Sequence, residues 1–178
     1  MKTVLLFRHA KSSWKNAAVA DIDRPLNKRG RAAAERMRAY LARERWLPAQ
    51  VLCSPSKRTR ETLGVILEAF GEAVPVRFEK GIYMAEAPLL LRRLRRLAES
   101  LASVMVIGHN PGLEHLALML TEGEDDPVRR ELAAKFPTGA FAAIGCDIDH
   151  WTELKPACGR IEAFIRPHDV GMRDSETD

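Results

Sequence analysis

Short apolar runs of strand length, each followed by a stretch with helical periodicity, constrain this chain more than any other feature of its 178 residues. The first run is Thr3-Val4-Leu5-Leu6-Phe7. Its nearly continuous apolarity fits a strand covered on both faces, since a half-exposed strand alternates apolar with polar residues. A polar segment follows to about Asn27. Then Ala33, Met37, Tyr40 and Leu41 recur at helical spacing, with Asn27 placed to cap the helix, Gly30 in its first turn and Pro48 beyond its end.

The rhythm repeats. Val51-Leu52-Cys53 reads as a second strand, and Thr59, Leu63, Ile66, Leu67 and Phe70 trace one face of a helix that stops at Gly71. Val74 to Phe78 is expected as a third strand, and Leu90, Leu91, Leu94, Leu97, Ala98 and Leu101 as another helical stripe. Ser103 to Gly108 reads as the fourth strand, and Leu113, Leu116, Ala117 and Leu120 mark the helix after it. The acidic stretch from Glu122 to Asp126 reads as flexible, with fifth and sixth strands over Gly139 to Ile144 and Gly159 to Ile165. Such alternation predicts a three-layer α/β/α sandwich around a mostly parallel central sheet of about six strands. With no repeat and no linker composition, residues 1–168 are expected to form one domain, and 169–178 a polar tail that frays.

Composition narrows the class. An apolar fraction of 46% and a charged fraction of 29% are those of a folded globular chain. No apolar stretch reaches membrane-spanning length, and the opening run stops at Arg8, which does not fit a signal peptide. Three scattered cysteines, Cys53, Cys146 and Cys158, make neither a disulfide framework nor a zinc site, so a reducing cytoplasm is expected. The net charge of +4 gathers in Lys28, Arg29, Arg31, Arg36, Arg38, Arg43, Arg45, Lys57, Arg58 and Arg60, opposed there only by Glu35 and Glu44. Arg92, Arg93, Arg95 and Arg96 form a second cluster. Basic faces of this kind attract anions. Aromatics are 6% of the chain and do not interleave with the clusters, so no stacking platform for nucleic acid is expected.

In open α/β sheets ligands bind beyond the carboxyl ends of the strands. Three expected strands end in reactive sequence: Arg8-His9-Ala10, Ser54-Pro55-Ser56-Lys57-Arg58-Thr59, and Gly108-His109-Asn110-Pro111-Gly112. Each alone says little, because a single strand-end histidine is more often structural and a single arginine more often solvated. If those ends are adjacent, two arginines and two histidines converge there without a carboxylate cluster for a metal. Guanidinium forks bind phosphoryl oxygens in a bidentate manner and stay charged, while an unprotonated imidazole nitrogen can attack phosphorus. His115, six residues after His109, does not share its helical face, and His150 and His168 fall in polar turns.

These segments resemble the histidine phosphatase superfamily, with its phosphoglycerate mutase-like fold, and within it the short SixA-like phosphohistidine phosphatases. Leu5-Leu6-Phe7-Arg8-His9-Ala10-Lys11-Ser12-Ser13-Trp14 is similar to the catalytic strand end, in an Arg-His-Ala variant. Asp23-Arg24-Pro25-Leu26-Asn27-Lys28-Arg29-Gly30 resembles the lead into the first helix of that branch, and Phe136-Pro137-Thr138-Gly139-Ala140 the start of a later strand. The resemblance spans residues 2 to 166. It implies that His9 is the nucleophile that becomes phosphorylated and that Arg8, Arg58 and His109 complete the phosphate pocket, with no metal and no cofactor.

For the acid that protonates the leaving group the resemblance implies Glu79, where many members carry a glutamate. Phe78-Glu79-Lys80-Gly81-Ile82-Tyr83 departs from the mutase pattern, however, and Asp21 and Asp23 stay open as alternatives. Mutase activity is not expected. The expected partner is a phosphorylated protein, such as a histidine phosphotransfer domain, or a small phosphorylated molecule, acted on by a monomer or weak homodimer. Three rivals stand beside this reading: a cysteine phosphatase using Cys53 and Arg58, a non-catalytic anion-binding module, and a nucleic-acid binder.

Overall fold

The computed structural model describes residues 1–71, 74–123 and 125–171. Six strands, β1 (Lys2–Arg8), β2 (Val51–Cys53), β3 (Val76–Phe78), β4 (Ser103–Gly108), β5 (Phe141–Cys146) and β6 (Gly159–Ile165), form one sheet in the order β3-β2-β4-β1-β5-β6. β3, β2, β4 and β1 run parallel, while β5 pairs antiparallel with both β1 and β6. Among the described residues five α-helices accompany the sheet: α1 (Lys28–Arg43), α2 (Lys57–Ile66), α3 (Ala87–Leu94), α4 (Gly112–Leu120) and α5 (Pro127–Ala134).

Alternate residues of the central strands feed two separate cores, which is why the runs read as continuously apolar. Leu5 and Phe7 pack with Met37 and Leu41 of α1 and with Leu63 and Ile66 of α2. Val4 and Leu6 face the opposite way, against Leu90 and Leu94 of α3, Leu116 of α4 and Leu132 of α5. The result is the expected α/β/α sandwich with a mixed, mostly parallel sheet. Among the described residues no helix is long and apolar enough to cross a membrane.

The register of the sheet positions the site. Arg8 of β1 pairs with Gly108 of β4, and the His9 amide donates to the Gly108 carbonyl at 3.1 Å. His9 and His109, one residue past each strand, are thereby set side by side. On the other flank the Gly139 amide donates to the carbonyls of Arg8 and His9, at 3.1 and 3.0 Å, from a backbone with φ +80 that favours glycine. α1 is capped as expected, Asn27 accepting from the Gly30 amide at 2.8 Å. A β-carbon on Gly30 would stand 2.1 Å from the Lys11 carbonyl, so only glycine lets α1 close onto the segment that follows His9.

The differences from expectation have local causes. The leucine stripe from Leu90 to Leu101 is not one helix: α3 stops at Leu94, and Leu97 and Leu101 reach the core from turns, since spacing alone does not separate the two. α5 has no counterpart in the sequence reading because a helix that buries only Leu132 writes no stripe; Asp126, taken there as flexible, caps it by accepting from the Val128 and Arg129 amides. β5 begins at Phe141 rather than Gly139, after the turn just described, and β3 is confined to Val76–Phe78. Of the tail expected to fray, residues 172–178 lie outside the described residues.

Candidate active site

His9 is held on one side of its ring by backbone and on the other by an arginine side chain. The Ala10 amide donates to the Thr62 hydroxyl at 3.0 Å, and that hydroxyl donates to the Arg58 carbonyl at 2.7 Å, so α2 fixes the turn after β1. Within that turn the His9 Nδ1 lies 2.7 Å from the Ala10 carbonyl, an acceptor only. Nδ1 therefore carries the hydrogen, and Nε2 keeps its lone pair. That lone pair points at Arg58, whose Nε donates to it at 3.3 Å.

Arg58, in the first turn of α2 behind the Ser56 cap, links both histidines. Its Nη2 lies 3.3 Å from Nδ1 of His109, and the two imidazole rings are 5.3 Å apart between centroids. Because a guanidinium only donates, His109 Nδ1 is the acceptor and Nε2 carries the hydrogen. Nε2 lies 2.7 Å from the hydroxyl of Ser54, a buried residue at the end of β2. Arg8, the last residue of β1, donates from Nη1 to the Phe136 carbonyl at 2.7 Å, and its Nε is buried without a partner.

Both histidines are neutral under ordinary conditions. Burial, reinforced by the charges of Arg58, Arg8 and Arg24, pushes the His9 imidazole down to about 4 against the pull of its bond to Ala10. Burial, then the neighbouring His9 and Arg58, takes His109 down to about 3. An approaching phosphoryl dianion opposes the electrostatic part of this effect, so its arrival favours protonation of His109 beside the phosphoryl oxygens.

The carboxylates divide sharply. Asp21, on a single 3₁₀ turn ahead of α1, accepts from the Tyr83 hydroxyl at 2.5 Å, from Arg58 Nη2 at 3.0 Å and from Arg24 Nη1 at 3.1 Å, and its backbone carbonyl accepts from Arg58 Nη1 at 2.6 Å. The Tyr83 hydroxyl and the Arg58 guanidinium hold its carboxyl below the usual carboxylate range. Glu79 is engaged elsewhere: both its oxygens accept from Arg93 of α3, at 2.6 and 2.7 Å, and it does not line the cleft. Asp23 lines a separate hollow beside Phe78. Of the three carboxylates considered in the sequence, only Asp21 is brought to His9, Arg58 and His109.

The cleft around these groups measures about 440 Å³. It adds residues to which sequence reasoning gave no role: Arg24, Trp14, Thr138 and Met84. Arg24 is buried, donating to the Ser12 hydroxyl at 2.6 Å and to the Ser13 carbonyl at 3.2 Å. Its place in Asp23-Arg24-Pro25-Leu26 was a usable signal; Tyr83, which contacts His109 edge-on with ring centroids 5.3 Å apart, had none. His115, His150 and His168 do not line the cleft. Cys53 is fully buried in β2, and burial pushes its thiol up to about 12, which removes it as the nucleophile of a cysteine phosphatase. Among the described residues no group of three or more His, Cys, Asp or Glu side chains is placed to hold a metal ion.

Residues 4–83, which carry β1 and Arg58, match the histidine phosphatase superfamily, branch 1. An uncharacterised protein of Mycobacterium tuberculosis is 32% identical over 164 residues, covering 90% of this chain and 99% of the relative. A crystal structure from Agrobacterium tumefaciens, provisionally assigned as the phosphohistidine phosphatase SixA, is 29% identical, with a TM-score of 0.78 and coverage of 93% of this chain and 98% of that one. The chain belongs to the histidine phosphatase superfamily, in its SixA-like branch. The protein histidine phosphatase SixA, solved with tungstate, shares the same fold at 24% identity and a TM-score of 0.76, over 94% of this chain and 98% of that one. As a histidine phosphatase superfamily hydrolase, the chain has its strand-end histidines and arginines at the carboxyl edge of the parallel strands.

Proposed function

We propose that this protein is a phosphatase that transfers a phosphoryl group from a phosphohistidine side chain to His9 and then to water. One observation carries the reading: His9 Nε2 is an unprotonated nucleophile facing Arg58 and His109, in a cleft whose one candidate carboxylate is already ionised. Arg8, Arg58 and Arg24 would bind the phosphoryl oxygens, and the tungstate bound by the related SixA protein, a phosphate-like oxyanion, is consistent with that use.

The chemistry then follows from the donors at hand. His9 Nε2 forms a bond to phosphorus as the bond from phosphorus to the leaving nitrogen breaks. Fixed guanidinium charge and His109, protonated once the dianion is bound, stabilise the equatorial oxygens. An alkoxide leaving group would need a proton, and Asp21, held ionised by Tyr83 and Arg58, is poorly suited to give one. A phosphohistidine solves this itself: its second ring nitrogen takes a proton from solvent, and the group departs as neutral imidazole. In the second half, water attacks phospho-His9, its proton passes to solvent, and inorganic phosphate leaves as His9 Nε2 recovers its electron pair.

The test offers the purified protein a phosphohistidine peptide and a panel of alkyl phosphate esters. Expected is turnover of the peptide well above the esters, an acid-labile radiolabel on the enzyme, and loss of both in His9→Ala. Normal turnover by His9→Ala would sink the mechanism; faster turnover of the esters would move the substrate to small molecules.

A further inference from the structure

Beside the catalytic cleft runs a second depression of about 320 Å³, lined by Lys11, Arg29, Arg36, Thr138 and His168. Lys11 and Thr138 line both hollows, so the two are adjacent. The cations here differ from others on the same helix. Arg31 pairs with Glu61, Arg38 with Glu35 and Glu68, and Arg43 with Glu44. Lys11, Arg29 and Arg36 are exposed and, among the described residues, pair with no carboxylate; Arg36 donates only to the Pro167 carbonyl, at 3.1 Å. The nearby Asp169 is occupied by Arg166 and His168. α1 thus carries one side whose arginines pair with Glu35 and with acids of the neighbouring segments, and one side left bare that borders the cleft of His9.

The cleft also carries an apolar lip. Trp14 is 77% exposed, its ring lying over the Arg24 guanidinium at 3.1 Å from the centroid, and Met84 is 50% exposed. An indole left in water at the mouth of a site is the kind of side chain that anchors a protein partner. A single tryptophan with one face already covered by Arg24 is poorly suited to a nucleic-acid strand, which needs successive open rings.

We propose that the Lys11, Arg29 and Arg36 groove docks a protein whose phosphorylated side chain lies among carboxylates, so that the acidic surroundings of the phosphohistidine select the substrate. The proposal rests on the phosphohistidine reading above and adds what recognises the substrate. Exposed charges of this kind act mainly through encounter and orientation, so the selection appears in kcat/KM and weakens with salt.

Two peptides with the same phosphohistidine, one flanked by glutamates and one by glutamines, are compared with free phosphohistidine on the wild type, on Arg29→Glu with Arg36→Glu, and on Arg29→Gln alone. Arg160→Glu, remote on β6, is the control for a charge reversal outside the groove. Expected is a preference of about tenfold for the glutamate peptide at low salt, erased in the double variant and reduced in Arg29→Gln, with kcat and free phosphohistidine turnover unchanged. Equal turnover of the two peptides by the wild type, or the same loss in Arg160→Glu, would overturn the proposal. Anisotropy of a labelled, unphosphorylated glutamate peptide reads the groove without the chemistry. Binding lost in the double variant, with no turnover of any phosphohistidine, supports the groove and sinks the phosphohistidine reading. Single-stranded RNA displacing the peptide and binding more tightly than it would assign the groove to nucleic acid instead.

Discussion

The floor and the rim of the cleft are built on opposite principles. On the floor, His9, Arg58 and His109 are 8%, 4% and 3% exposed, and each is held by at least two hydrogen bonds. On the rim, Trp14, Lys11, Arg29 and Arg36 are exposed, and the three cations pair with no acid among the described residues. Burial fixes protonation states and removes rotamer freedom, which suits groups that must meet a transition state. Exposure leaves charge available to a partner at a small cost in stability. Under the proposed function the floor would carry the chemistry and the rim the choice of substrate, and substitutions should separate the two.

The largest effect is expected at Arg58. Arg58→Ala removes the one group bonded to both histidines and to Asp21, and should lower kcat by about 100- to 1,000-fold. Arg58→Lys, which keeps charge but loses the fork, should recover only part. A rise in KM with kcat unchanged would mean that the floor merely binds.

Acid should expose the floor next. His9 and His109 have folded values lowered to about 4 and about 3 from an ordinary 6.5, so the unfolded chain binds more protons below that value. Their contribution to stability is complete above about 6.5 and is lost as pH falls toward the folded values, a shift like that of His9 being worth about 3 kcal/mol. Urea midpoints at pH 7 and pH 4.5 in acetate should fall less for His9→Gln with His109→Gln than for the wild type; equal falls would show that other groups dominate.

Asp21→Asn should cost less than about tenfold in kcat toward a phosphohistidine peptide, because a carboxylate held ionised serves to position Arg58 and not to donate a proton. A loss near that of Arg58→Ala would restore Asp21 as the acid. Smallest is Glu79→Gln: its pair with Arg93 is half-buried and away from the cleft, so activity should hold while stability drops by about 1 kcal/mol. A large fall in kcat with unchanged stability would return Glu79 to the catalytic role that the resemblance implied.

The sequence alone determined a good deal. Alternating strand and helix periods set the three-layer class, and Arg8-His9, Arg58 and Gly108-His109 stood out as three strand ends bearing one chemistry. Such signals are local: a strand buried on both faces writes an apolar run, and a capped helix writes its cap and its stripe. The tertiary structure decided what depends on register and on reach. Pairing of Arg8 with Gly108 put the two histidines 5.3 Å apart. The bond from His9 to Ala10 chose which nitrogen is free, and Arg93 drew Glu79 away from the cleft while Tyr83 and Arg24 joined Asp21 to it. α5 stayed silent in the sequence because one buried leucine makes no pattern. Side chains distant in the chain meet only where backbone pairing and packing bring them, and no spacing along a sequence records which long arm reaches which carboxylate.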